Sequence, residues 1–184
     1  MSKFSFNSLR FRKAVHEDVP KMKSLYCDTV MTICAADYSP VQIQAWAGTS
    51  EQTDSLAKRI GLQYFIVAEN EAGKIVGFAS LQEPDYLDLL YVHKDFQRQG
   101  IGNALLSKML ERAIEIGTVR ITSDVSITAR PFFEENGFQT LREQTVRLGD
   151  VELTNYKMEK ILMKIEITKK PTKESVRKHY TFGE

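Results

Sequence analysis

The spacing of apolar side chains changes period several times along the chain, and each change marks an element. Residues 10–14 (RFRKA) alternate and predict a short strand. Residues 19–35 then place Met22, Leu25, Tyr26, Thr29, Val30 and Ile33 at three- and four-residue spacings, the one-face signature of a helix. Asp18 precedes it as a predicted N-cap, and Pro20 falls in its first turn. A sharper start follows at Ser39-Pro40-Val41-Gln42, where an N-cap serine, an N1 proline and an N3 glutamine stand in capping-box order. This opens a short helix through Ile43 and Trp46 that Gly48 stops. A further helix spans 53–60, before Gly61.

From residue 64 the period shortens. YFIVA (64–68) and IVGFASL (75–81) read as the two strands of a hairpin with Gly73 in its turn. LDLLYV (87–92) is apolar almost throughout, as a central strand must be. Residues 100–116 return to helical spacing with Ile101, Leu105, Leu106, Met109, Leu110, Ala113 and Ile114, and Gly117 ends the run. A strand at 119–125, a short helix at 128–136 closed by Gly137, and strands at 139–148 and 151–158 complete the pattern. The order β-α-α-(α)-β-β-β-α-β-α-β-β predicts an α+β domain with a mixed sheet over residues 1–160. Periodicity then fails and basic residues accumulate, so residues 161–184 read as a basic C-terminal extension.

Composition narrows the choice of partner. A chain of 184 residues that is 42% hydrophobic, with 10 Phe and 7 Tyr, can bury one ordinary core. Its 25 Lys and Arg balance 24 Asp and Glu, so no global field favours nucleic acid or membrane, and a small-molecule or protein substrate is expected. Cys27 and Cys34 lie seven apart on one helical pattern, about two turns and too far for an intrahelical disulfide. They read as small core hydrophobes of a reducing compartment. No His and Cys cluster has metal-ligand spacing, so no metal is expected. No apolar run suits a signal peptide or a membrane span, which makes a cytoplasmic location the expectation.

The candidate chemistry sits in QRQGIG, residues 97–102, at the entry to the long helix. A P-loop would need GxxxxGK[ST], which is absent. A dinucleotide fingerprint would need a third small residue where Leu105 stands, a first glycine directly after the strand rather than eight residues beyond Val92, and an acid where Arg120 and Ile121 stand. The glycines either merely ease the turn or build an anion site. Backbone N–H groups at a helix N-terminus point outward, and the helix dipole adds about half a positive charge there. Gly100 and Gly102 lack a Cβ and let a phosphate approach, while Arg98 and Gln99 supply donors at the rim. Such a site suits a pyrophosphate.

LLYVHKDFQRQGIGNALLSKMLERA resembles the acetyl-coenzyme A signature of the GNAT N-acetyltransferase superfamily, a strand, a short loop, [Q/R]-x-x-G-x-[G/A] and a long helix. SITARPFFEENGF resembles that family's second landmark, N-x-x-A-x-x-x-Y-E-x-x-G-F, matched at Ala129, Glu134, Gly137 and Phe138. The resemblance covers about residues 10–160. It implies the GNAT fold: a mixed, mostly antiparallel sheet with flanking helices and a central pair, 87–92 and 119–125, that splays apart. It further implies acetyl-CoA as cosubstrate in that gap. Leu90, Tyr91 and Val92 would meet the pantetheine arm and acetyl group, one N–H polarising the thioester carbonyl, and Gln97, Arg98, Gln99, Gly100, Ile101, Gly102 and Asn103 would cradle the pyrophosphate. The side chain of Ile101 is expected in the core. Two positions depart from the pattern: Ser126 replaces the family's cofactor-contacting Asn, and Phe133 replaces its proton-donating Tyr. A thiolate leaves adequately without an acid, since a thiol titrates near 8.5.

By the same resemblance the activity is transfer of an acetyl group to a primary amine by direct attack in a ternary complex. The acceptor is a small molecule or a peptide, and the final strands allow a homodimer. Carboxylates and a phenol on the third strand, Asp88 and Tyr86 foremost, with Glu83, Asp85 and His93, are candidate proton acceptors. Tyr26, Thr32, Asp37, Tyr38 and Trp46 would wall the acceptor side. The alternative is an acyl-CoA-binding module that keeps the glycine loop and lacks the chemistry.

Overall fold

The computed structural model describes residues 9–49 and 53–162; the greater part of the basic extension read over 161–184 lies outside them. Twelve elements follow the expected order among the described residues: β1 (Arg10–Lys13), α1 (Val19–Thr32), α2 (Pro40–Gly48), α3 (Thr53–Leu62), β2 (Tyr64–Glu69), β3 (Ile75–Gln82), β4 (Tyr86–Val92), α4 (Ile101–Glu115), β5 (Arg120–Ser126), α5 (Arg130–Glu135), β6 (Gln139–Leu148) and β7 (Val151–Ile161). The strands form one sheet in the order β1-β2-β3-β4-β5-β7-β6. Every neighbouring pair is antiparallel except β4 with β5. The fold is α+β with a mixed, mostly antiparallel sheet. No helix among the described residues is long and apolar enough to cross a membrane.

Two cores flank the sheet because strand side chains alternate. Phe65, Val67, Ile75 and Phe78 pack with Met22, Leu25 and Val30 of α1 on one face. Ile66, Ala68, Val76 and Ala79 pack with Ile101, Leu105 and Met109 of α4 on the other. β3 is buried over all but its last residue, which is why its sequence reads as a continuous apolar run rather than an alternating one.

The alternation breaks at one place. Leu89 stands opposite Ser80 and Leu87 opposite Leu81, leaving Asp88 as an extra residue, a β-bulge in β4. Leu87 therefore packs with the α4 core and Leu89, two residues on, with the α1 core. The bulge turns β4 just where it begins to leave β5.

Local start signals hold for α2 and shift for α1. Ser39 accepts the Gln42 N–H at 3.4 Å, and Gln42 Oε1 accepts the Ser39 N–H at 2.9 Å, the reciprocal box its sequence implies. Asp18 caps nothing in α1. Its carboxylate accepts Arg12 Nη1 at 2.6 Å, Arg12 Nη2 at 2.8 Å and the Val15 N–H at 2.9 Å. Arg12 also reaches Glu69 at 2.6 Å, so one guanidinium ties β1 to β2 and to the α1 entry. α1 stops at Thr32, short of residue 35, because Cys34–Ala36 tighten into a 3-10 turn.

The Arg12 hydrogen bonds hold the Asp18 carboxyl below its ordinary value of 3.8. A depressed carboxyl contributes stability that is present above the unfolded value and is lost as pH falls through the folded one. Asp18→Asn is expected to lower stability at neutral pH by about 2 kcal/mol, since it breaks a buried charge-assisted pair. The difference in urea midpoint between wild type and variant should shrink as pH falls below 3.8. A constant difference down to acid pH would assign the loss to packing.

Candidate active site

β4 and β5 pair for only two positions, Tyr86 with Thr122 and Leu87 with Ser123. Ser123 Oγ donates to Leu87 O at 2.8 Å and closes the apex. Beyond it the strands diverge, because β4 stays paired to β3 through Val92 while β5 is paired to β7 along all seven residues. The result is a V-shaped gap in mid-sheet.

The backbone facing that gap follows from the ladder. The His93 N–H bonds Val76 O at 2.9 Å, and Tyr91 and Leu89 stand opposite Phe78 and Ser80. Antiparallel ladder bonds fall on alternate residues, so Leu90 and Val92 turn their N–H and C=O groups away from β3 and into the gap. Val92 O is taken there by Thr29 Oγ1 at 3.0 Å and by Gln97 Nε2 at 2.6 Å. Gln97, expected to face the pyrophosphate, thus folds its side chain back onto β4 and braces the loop.

The glycine loop ends at α4. Arg98 (φ 60°) and Gly100 (φ 81°) both adopt left-handed backbone, the arginine being the one non-glycine residue to do so among the described residues. Gly100 is the N-cap, with no side chain capping the helix, and the first helical bond runs from the Ala104 N–H to Gly100 O. The N–H groups of Ile101, Gly102 and Asn103 are therefore outside the helical ladder, which is what an anion site at a helix start requires. Ile101 is 1% exposed and anchors the helix in the core. Gln99 Nε2 reaches Asp95 O at 3.4 Å, whereas its Oε1 is buried without a partner among the described residues. Asn103 Oδ1 accepts Asn136 Nδ2 at 3.1 Å and links the loop to the end of α5.

Ser126 and Phe133 lie across the gap. Ser126 Oγ accepts the Ala129 N–H at 3.1 Å, which keeps its own O–H available as a donor. Phe133 is 4% exposed and makes edge contacts to Phe132 and Phe138 at 5.5 and 4.9 Å. Its neighbour Phe132 is the ring that covers the loop: a Cβ on Gly102 would stand 3.3 Å from it.

A cavity of about 330 Å³ reaches the gap from the α1 and α2 side. Tyr26, Tyr38 and Trp46, expected on the acceptor wall, line it together with Tyr91 of β4. Tyr26 and Tyr91 lie 4.8 Å apart between ring centres, Tyr38 and Trp46 5.2 Å. Burial raises the phenols of Tyr26 and Tyr91 and pushes that of Tyr38 up to about 12. At neutral pH all three are donors rather than bases. Tyr38 also pins the end of β5, accepting the Ile127 N–H at 2.9 Å and donating to Thr154 O at 2.8 Å. Asp37 holds Thr128 instead of facing the cavity wall, with a 2.7 Å contact from Thr128 Oγ1.

The carboxylates are arranged in two tiers. Asp88 accepts Gln63 Nε2 at 2.8 Å and forms an ion pair with Arg59 Nε at 3.1 Å, and Arg59 lines the cavity. Tyr86 donates to Asp124 Oδ2 at 3.0 Å, and Asp124 lines the cavity. Burial, reinforced by Asp124, holds the Tyr86 phenol well above its ordinary value. Gln144 Nε2 and Lys157 Nζ fix the other oxygen of Asp124 at 2.9 and 3.1 Å. Sequence reading missed both cavity residues. Asp124 carried a signal, since Thr122, Asp124 and Ser126 share one face of an alternating strand. Arg59 carried none, being one cation on an amphipathic helix. His93 is buried, its Nδ1 accepting the Asp95 N–H at 3.2 Å, and Glu83 pairs with Arg112 at the surface. No group of three His, Cys, Asp or Glu among the described residues is arranged to hold a metal.

Comparison with known proteins agrees with this geometry. A profile described as an acetyltransferase (GNAT) domain matches residues 34–160. The chain is 34% identical over 154 residues to the uncharacterized N-acetyltransferase YafP of Escherichia coli K12, covering 83% of this chain and 95% of that protein. The crystal structure of a GCN5-related N-acetyltransferase from Rhodopseudomonas palustris superposes with a TM-score of 0.81 at 31% identity, over 84% of this chain and 96% of that one. PaiA N-acetyltransferase from Thermoplasma acidophilum, solved in complex with coenzyme A, shares the fold with a TM-score of 0.70 at 20% identity, over 84% and 99%. A splayed β4–β5 pair, an uncapped helix start behind a left-handed glycine, and a family match across two thirds of the sequence converge: this chain belongs to the GNAT acetyltransferase family.

Proposed function

We propose that the protein transfers an acetyl group from acetyl-CoA to a primary amine by direct attack in a ternary complex. The observation that carries this reading is the meeting of two separate sites at the β4–β5 gap, a backbone-lined slot leading to the α4 start and an aromatic cavity on the α1 side. Acetyl-CoA occupies the slot. The amides of Ile101, Gly102 and Asn103, with Arg98 and Gln99 at the rim, hold its pyrophosphate. Leu90, Tyr91 and Val92 flank the pantetheine arm and Ser126 donates to it. The Leu90 N–H is the donor for the thioester oxygen, where one such bond contributes about 3 kcal/mol to the transition state. Phe133 supports this wall from behind, through Phe132.

The amine nitrogen attacks the thioester carbon, the C–S bond breaks, and the sulfur leaves as thiolate. The amine proton passes to Asp124, the carboxylate at the cavity surface. Tyr86 keeps Asp124 oriented, and Asp88 does the same for Arg59, so the two third-strand residues act by positioning. In a homodimer, a second copy would pair along β6, one of the two edge strands of the sheet.

The test is release of free thiol from acetyl-CoA across a panel of primary amines, with acetylated product identified by mass spectrometry. Asp124→Asn is expected to lower kcat/KM about 100-fold at neutral pH with the coenzyme A Kd unchanged. Coenzyme A binding without acceptor-dependent thiol release would favour the acyl-CoA-binding module instead.

A further inference from the structure

We propose that the acceptor is an amino acid with an apolar side chain, and that Arg59 selects it by binding its carboxylate. This rests on the acetyl-transfer reading above and names the substrate class for that site.

Arg59 is held in a way that leaves a fork unused. Its Nε forms an ion pair with Asp88 Oδ2 at 3.1 Å, and among the described residues no partner is seen for Nη1 or Nη2. With the Nε edge occupied, the end-on pair of Nη donors remains, the geometry that grips a carboxylate in two parallel bonds. The tether is unusual in its own right. The Asp88 side chain is only 13% exposed, while that of Arg59 is 38% exposed and lines the cavity. Asp88 is the bulged residue of β4 between Leu87 and Leu89, a costly place for a charge unless it holds something. Gln63 donates a second bond to the same Asp88 oxygen, so the carboxylate is fixed before it orients the guanidinium. The brace joins a largely buried carboxylate to a guanidinium that lines the cavity, and so presents that guanidinium to whatever enters.

The rest of the cavity completes the match. Among the described residues the charged groups that line it are Arg59 and Asp124, one cation and one anion, complementary to a carboxylate and an ammonium on the same small molecule. Tyr26, Tyr38, Trp46 and Leu153 supply apolar wall for a side chain. At about 330 Å³ the space is at the small end for ligand pockets, which span about 300 to 1,000 Å³. It suits a single amino acid better than a polypeptide segment, whose N-terminal residue also lacks the free α-carboxylate.

The experiment uses matched pairs that differ in the carboxylate alone: L-leucine against 3-methylbutylamine, and L-phenylalanine against 2-phenylethylamine, each with acetyl-CoA and thiol detection. The amino acid of each pair is expected to exceed its amine about 30-fold in kcat/KM, chiefly through KM. Arg59→Gln should bring that ratio to within about threefold of one, and Arg59→Lys, which keeps the charge and loses the fork, should give an intermediate ratio. Asp88→Asn tests the brace and should erode the ratio through KM with the thermal midpoint monitored in parallel. Equal rates within each pair, or a preference that Arg59→Gln leaves intact, would overturn the proposal while the acetyl-transfer reading stands. Thiol release with none of the four acceptors, in a protein that binds coenzyme A, overturns this proposal, and the acetyl-transfer reading falls only if the wider amine panel fails as well.

Discussion

Gly100→Glu is expected to weaken coenzyme A binding by at least about 100-fold while the protein still folds. Two physical terms act together. At φ 81° a side chain costs about 1–2 kcal/mol of backbone strain, because its Cβ crowds the following carbonyl. A glutamate there also sets a carboxylate against the pyrophosphate, at the point where three uncapped N–H groups and the α4 dipole favour an anion. Loss of about 100-fold corresponds to about 2.7 kcal/mol, within the several kcal/mol that opposing like charges cost at a binding site, while the strain lowers stability instead. Gly149→Glu is the control. Gly149 is also left-handed, at φ 59°, but sits in the open β6–β7 turn, where a Cβ would meet nothing within 4 Å. It should carry the same strain and leave binding intact. The readout is isothermal titration of coenzyme A with circular dichroism alongside. If Gly100→Glu bound as tightly as wild type, the α4 start would not be the phosphate site.

The second large effect is on stability and is expected from Gly77→Val. Gly77 lies in β3 opposite Val92, directly beneath α4. A Cβ there would stand 2.9 Å from Leu105 Cδ1, 3.0 Å from Tyr91 O and 3.2 Å from Ile101 Cγ2. Leu105 can swing aside, whereas the Tyr91 carbonyl belongs to the β4 ladder and cannot. Overpacking of this kind costs about 3 kcal/mol, which for a chain of this size lowers the thermal midpoint by about 6 to 12 °C. The helix can relieve the clash only by lifting off the sheet, and its N-terminus carries the proposed phosphate site. Coenzyme A affinity should therefore fall along with stability, although Gly77 touches no ligand. A variant destabilised by that amount with unchanged affinity would show that the position of α4 on the sheet is not what sets the site.

These expectations draw on different layers of information. The order of elements and the glycine loop are legible because they rest on neighbours in sequence. Period changes mark strands and helices, and QRQGIG declares itself by having two glycines in front of an apolar stripe. The Ser39 capping box is legible for the same reason. Asp18 reads in sequence as the α1 N-cap and holds that position, but its side chain caps nothing, since the competing partner, Arg12, approaches from β1 and offers two charge-assisted bonds where the helix offers a neutral N–H. The inward turn of Gln97 is likewise invisible in sequence, because its partner Val92 O becomes available only when β4 parts from β5.

Asp88 shows the division most clearly. In sequence it is a carboxylate interrupting an apolar strand, and proximity to the reaction is a natural expectation. In three dimensions it is the extra residue of a bulge, turned toward α3 and closed off by Arg59 and Gln63. Arg59 and Asp124 line the cavity instead, residues 65 positions apart by their numbering that only the folded chain brings to one space. The sequence by itself determined the fold class, the family and the glycine turn that opens α4, because local spacing and backbone conformation specify them. Which charges line the cavity was decided by the tertiary structure alone, because a one-residue bulge and a parted strand pair reset which side chains share a face.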